Sequence, residues 1–184
     1  SKGLAMSIIL KQPISIQDGL LVPIAAGVAV AQALKNRGGN PKLKWPNDIL
    51  FNNKKCGGIL SESRVKNNSI THMIIGFGLN INETVNDFPS LLSDSATSLA
   101  IETNQSNQRE LICAIIATYF ERLLNDLPSS LPIWENYCNH LNEIISFSQN
   151  GQNQSGIFKG LSDDGRARIQ IDKKEILFNS ITLE

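Results

Sequence analysis

The chain has 184 residues, with 17 basic and 17 acidic side chains, which suits one domain with a real core, or one such domain with a small appendage. A formal net charge of zero removes the broad electrostatic case for nucleic-acid or membrane-surface binding, so any anion must be held locally. The three cysteines, Cys56, Cys113 and Cys138, lie far apart without a C-x-x-C pair; this suits free thiols in a reducing compartment, by default the cytoplasm, and with only His72 and His140 to join them zinc has no support.

In chain order, "LAMSIILK" (4–11) reads as a buried strand ended by Pro13. Ser15, with Asp18 three positions on, makes a capping-box-like start for a helix that runs to about Asn36, where Arg37, Gly38 and Gly39 stop it. Its stretch "GLLVPIAAGVAVAQAL" (19–34) carries no charge, yet a bilayer span needs about 20 apolar residues. Pro23, Gly27 and Gln32 interrupt it further. It therefore reads as a core helix covered on most sides, with Pro23 either kinking it or marking its first turn. "SKGLAMSIILKQ" lacks the basic start, oily stretch and cleavage site of a signal peptide.

From position 42 the period changes to two. "LKW" leads into the turn-forming Pro46-Asn47-Asp48, then "ILF", then Asn52-Asn53 as a hairpin turn, then "CGGILSESR" returning. "THMIIGFGLNIN" (71–82) puts Met73, Ile75, Phe77, Leu79 and Ile81 on one face, and Ile74, Gly76, Gly78, Asn80 and Asn82 on the other. Residues 83–106 read as a polar loop with a brief helix. Helices follow over 108–127 and 131–144. From about 146 short strands alternate with Asn150-Gly151, Asp163-Asp164-Gly165 and Asp172-Lys173-Lys174, the pattern of a small β-barrel.

The chemistry concentrates in "KWPNDILFNNKKCGGILSE" (44–62). Lys55 stands just before Cys56, Gly57 and Gly58, and a lysine beside bare amides can hold a carboxylate or phosphate. Lys44 and Lys54 are further candidates. Asp48 follows a proline-fixed turn, and with Asn47 it can accept from an incoming amine or ligate a magnesium ion carrying phosphates. The plain alternative is ordinary turn material with solvated lysines. The Gly76/Gly78/Asn80 face can lie against a flat group, with an asparagine amide suited to an adenine edge; the alternative is a sheet face packed closely by a helix. Trp45 reads as core packing.

The order K-W-P-N-D, then K-x-G-G-I-L, then I-G-x-G-x-N, followed by helices and a small β tail, resembles the biotin protein ligase family, the biotin–[acetyl-CoA-carboxylase] ligases, over nearly the whole chain. The resemblance implies an α+β fold: a class II synthetase-like, lipoate-ligase-like mixed sheet with helices over 1–145, and a C-terminal SH3-like β-barrel over 146–184. It also implies a two-step reaction in which biotin and ATP form biotinyl-5′-AMP and a lysine of the biotin carboxyl carrier protein then takes the biotin. Lys55 would be the essential lysine, touching the biotin carboxylate and the α-phosphate; Asp48 would aid Mg2+ or act as a general base. Gly57, Gly58 and Leu60 would line the biotin pocket with Lys55. Lys44, Asn47, Gly76, Gly78 and Asn80 would hold ATP.

The family's glycine- and arginine-rich loop, of G-R-G-x-x-G type, has no counterpart ahead of "LAMSIIL". The nearest strings, Arg37-Gly38-Gly39 and Gly165-Arg166, fall at a helix end and in the tail. The expectation is thus a chain lacking the N-terminal part of the catalytic domain, with reduced or no activity alone, no DNA-binding domain, and strand edges able to pair with another copy. Competing readings are a lipoate ligase and a non-catalytic nucleotide- or carrier-binding module.

Overall fold

The computed structural model describes residues 2–149, 152–179 and 181–183. Its first sheet contains β1 (Leu4–Leu10), β2 (Ile14–Ser15), β3 (Lys42–Lys44), β4 (Asp48–Phe51), β5 (Lys54–Lys66) and β6 (Ser69–Leu79). The strand order is β1-β6-β5-β4-β3, with β2 also on β6. All named ladders in it are antiparallel. The mixed sheet expected from the sequence is therefore corrected: among the described residues parallel character is confined to two isolated bridges, Leu43 with Cys138 and Lys55 with Ala96.

Helix α1 (Ile16–Asn36) starts where expected, because the Ser15 hydroxyl oxygen accepts from the Asp18 N–H at 2.9 Å. Pro23 sits inside it, not at its first turn. By length and composition α1 could cross a membrane. Here nearly every residue from Leu21 to Leu34 is buried, against the sheet, α3 (Arg109–Leu124) and α4 (Ser130–Tyr137). A brief helix, α2 (Leu99–Thr103), interrupts the polar 83–106 segment as expected. The third long helix ends at Tyr137, earlier than its spacing suggested. Tertiary bonding wins there: Cys138 bridges to Leu43, and the Asn139 N–H donates to the Leu43 carbonyl at 2.9 Å.

The helices cover one face of the sheet, on which Ile75, Phe77 and Leu79 are buried. The other face is open. Strand β1 was expected to be buried, but it is an edge strand with alternate residues exposed, Ile9 at 55%. Asn52 and Asn53 both take positive φ, 49° and 64°, the signature of a two-residue type I′ hairpin turn. The β5–β6 turn repeats the device at Asn67 and Asn68 (51° and 59°).

The C-terminal part is a second antiparallel sheet of β7 (Ile144–Gln149), β8 (Gln152–Leu161), β9 (Ala167–Ile171), β10 (Lys174–Phe178) and β11 (Thr182–Leu183). Its order, β10-β9-β8-β7-β11, is open, and no pairing among the described residues closes it into a barrel. The turn expected at Asn150-Gly151 lies outside the described residues. Gly160 takes a φ of 107°, and a Cβ there would meet Glu135 Oε1. That close approach lets the Leu161 N–H donate to Glu135 Oε1 at 3.0 Å, tying the second sheet to α4.

The same seam buries His140, whose ring lies 4.3 Å from Phe158 and 6.5 Å from Trp134, centroid to centroid. Burial first, then the charge of Lys44, pulls its pKa down to about 4. An unfolded imidazole protonates near pH 6.5, so between about 6.5 and 4 only the unfolded chain takes up this proton. Stability is accordingly full above pH ~6.5 and falls toward pH 4, by on the order of 2–3 kcal/mol. Urea unfolding at pH 7 and pH 4.5 should show this loss, and His140→Phe should remove that part of it.

Candidate functional site

Register brings the small residues together. Ala5 pairs with Gly78, Gly78 with Gly58, and Gly58 with Asp48, so a row of minimal side chains crosses β1, β6, β5 and β4 and ends on a carboxylate. A second row runs Ser7, Gly76, Leu60. These rows floor a groove of about 550 Å³, also lined by Asn47 and Lys55. Among the described residues no helix lines it. A Cβ built at Gly76 would find nothing nearer than 3.8 Å, and at Gly78 nothing nearer than 4.0 Å. The bare face is open space, which settles the choice against close helix packing.

Lys55 reaches this face through a bulge. Asp48 pairs with Gly58 and Ile49 with Gly57, but Leu50 pairs with Lys55, leaving Cys56 as the extra residue. In an unbroken ladder Leu50 would oppose Cys56, and Lys55 would point to the other side of the sheet. As it is, Lys55 Nζ lies 2.5 Å from Asp48 Oδ1. The lysine side chain is 55% exposed, and such a pair contributes only ~0–1 kcal/mol to stability. Its importance is positional: it puts a cation at the head of the groove.

The main chain of Lys55 is fixed from the opposite flank. Its N–H donates to the Ser95 carbonyl at 2.7 Å, and its carbonyl accepts from the Thr97 N–H at 2.9 Å. Cys56 is fully buried, with Sγ donating to the Asn80 carbonyl at 3.2 Å. Burial above all, with Glu83 and Glu102 adding, pushes this thiol up to about 12, so it is a neutral packing group and no nucleophile.

Asn47, Asp48, Lys55, Gly58, Leu60, Gly76 and Gly78 thus meet in the groove. Three expected residues do not line it. Asn80 donates its side-chain amide to the Thr97 carbonyl at 3.0 Å, closing the end of β6. Lys44 lines an adjoining cavity of about 810 Å³ that shares Asp48 and Lys55, and it donates to the Leu183 carbonyl at 3.2 Å. Gly57 faces into the sheet, where a Cβ would run into the Gly78 carbonyl oxygen. Sequence reasoning missed Ala5 and Ser7. Small residues at every second position, Gly3, Ala5 and Ser7, are the signal that could have placed them.

The two kinds of glycine should separate experimentally. Gly57→Ala should lose ~1–3 kcal/mol in urea unfolding, since backbone must move. Gly78→Ala should unfold within about 0.5 kcal/mol of the parent while narrowing the groove.

The model of the Biotin/lipoate A/B protein ligase family matches residues 1–80. The chain is 37% identical over 142 residues to the bifunctional ligase/repressor BirA of Bacillus subtilis, covering 73% of this chain and 43% of that protein. It is 29% identical over 131 residues to the biotin–[acetyl-CoA-carboxylase] ligase of Paracoccus denitrificans, covering 67% and 54%. Among solved structures, the biotin protein ligase from Aquifex aeolicus in complex with biotin and ATP superposes with a TM-score of 0.79 at 26% identity, covering all of this chain and 78% of that one. The chain spans 43% of the length of the Bacillus relative, so similarity there speaks for the shared part. In motif order, fold and sequence alike, the chain is homologous to the biotin protein ligases, its residues 1–80 matching the Biotin/lipoate A/B protein ligase family.

Proposed function

We propose that this protein carries out the ATP-dependent attachment of biotin to a lysine of the biotin carboxyl carrier protein of acetyl-CoA carboxylase, through biotinyl-5′-AMP. The observation that carries the reading is the Lys55–Asp48 pair at the head of a groove floored by Ala5, Gly78 and Gly58. In the first step a biotin carboxylate oxygen attacks the α-phosphorus of ATP, the bond to the bridging oxygen breaks, and pyrophosphate leaves. The Lys55 ammonium lies against both anions and offsets their repulsion. In the second step the carrier amine attacks the acyl carbon, the bond to the phosphate oxygen breaks, and AMP leaves. Asp48 takes the amine proton.

Gly58 and Leu60 are assigned to biotin, with Gly57 shaping the strand beneath. Asn47, Gly76 and Gly78 are assigned to the nucleotide, and Lys44 to its phosphates from the adjoining cavity. Asn80 supports that end through Thr97. Among the described residues no group of three or more His, Cys, Asp or Glu could hold a metal by itself. One carboxylate, Asp48, fits Mg2+ bound chiefly by nucleotide phosphates and water, where the ion would screen phosphate charge. The three free cysteines suit a cytoplasmic setting.

Lys55→Ala should lower biotin-dependent ATP–pyrophosphate exchange by about 10²–10³; an unchanged rate would remove Lys55 from this role. Run on the chain by itself, the same assay tests the expectation of reduced activity. Asp48→Asn should slow transfer to the carrier more than adenylate formation.

A further inference from the structure

We infer that Glu102 is a positioning residue for Lys55, its two carboxylate oxygens clamping the chain on both sides of that lysine; the inference rests on the role given to Lys55 above. Glu102 lies in α2, within the first turn after the Ser98 cap. Its Oε2 accepts from Asn52 Nδ2 at 2.7 Å, and its Oε1 accepts from the Thr97 hydroxyl at 2.6 Å. Asn52 opens the β4–β5 turn, three residues before Lys55. Thr97 donates its N–H to the Lys55 carbonyl. Both flanks of Lys55 therefore end on one carboxylate.

The clamp is rigid at its far side. Thr97 is 1% exposed, and its carbonyl accepts from Asn80 at the end of β6. Glu102 lines neither the groove nor the adjoining cavity, so it does not touch a ligand held there. What it can set is the position of the Lys55 main chain. A lysine has a long, freely rotating stem, and its amine returns to one place only if its Cα and its Asp48 partner are held. Bonds to an ionised acceptor are the strong kind for that purpose. A misplacement of about 1 Å at a reacting group can cost on the order of 10²-fold in rate.

The test uses the full chain. Amide hydrogen exchange in Glu102→Ala should be faster by about tenfold or more at Lys55 and Thr97, with a clearly smaller change at the Ile75 amide. Exchanging donor for acceptor in the double variant Asn52→Asp, Glu102→Gln preserves the charge and should restore protection at Lys55. In biotin-dependent ATP–pyrophosphate exchange, Glu102→Ala should lower kcat about tenfold and shift KM for biotin and ATP by less than about twofold. Unchanged exchange at Lys55 overturns the inference, as does equal acceleration at Ile75, which would mean general loosening. If Lys55→Ala is fully active while Glu102→Ala deprotects Lys55, the catalytic role of Lys55 falls and the clamp stands.

Discussion

Opposite Leu50, strand β5 carries one more residue than β4, and that surplus governs the site. Cys56 absorbs it by turning inward, where its thiol is buried and donates to the Asn80 carbonyl. Lys55 is thereby moved to the face that carries Asp48, Gly58 and Gly78. A ladder without the bulge would hold the same residues in the same order and put the cation on the covered side. The chemistry proposed for the site depends on this parity more than on any single contact, because the other strand residues assigned to it, Asp48, Gly58, Leu60, Gly76 and Gly78, already lie on the open face by ordinary alternation.

Around that bulge the structure places supports of three kinds. The 95–97 segment bonds the Lys55 main chain from one side. The β4 ladder holds it from the other. The second sheet steadies the turn that presents Asp48: Trp45 donates its indole N–H to the Gly165 carbonyl at 3.4 Å, and Lys44 donates to the Leu183 carbonyl. The tail thus has a physical reason to accompany the first sheet, since the residues just ahead of the Pro46-Asn47-Asp48 turn are anchored in it.

Much of this was legible in the residues themselves because the signals are local. Ser15 with Asp18 marks a helix start, Asn52-Asn53 marks a left-handed turn pair, and the alternation over 71–82 separates a core face from a bare one. Other features depend on partners distant in sequence. The bulge leaves no mark in "KKCGG", which reads equally well as regular strand. Glu102 meets Asn52 across 50 positions, so no window contains both. The last helix stops at Tyr137 because Leu43 bonds the residues that follow, a contact that no propensity encodes. Asn80 had the right face for a ligand and was drawn instead into closing the strand end.

The chain has two tryptophans, and both stand where the second sheet meets the rest of the molecule: Trp45 against Gly165, and Trp134, on α4, beside His140 and Phe158. Each is almost fully shielded, at 3% and 2% exposure. The tryptophan fluorescence of the molecule therefore originates wholly from this seam. Its emission colour becomes a built-in gauge of whether the tail is seated, readable without any label.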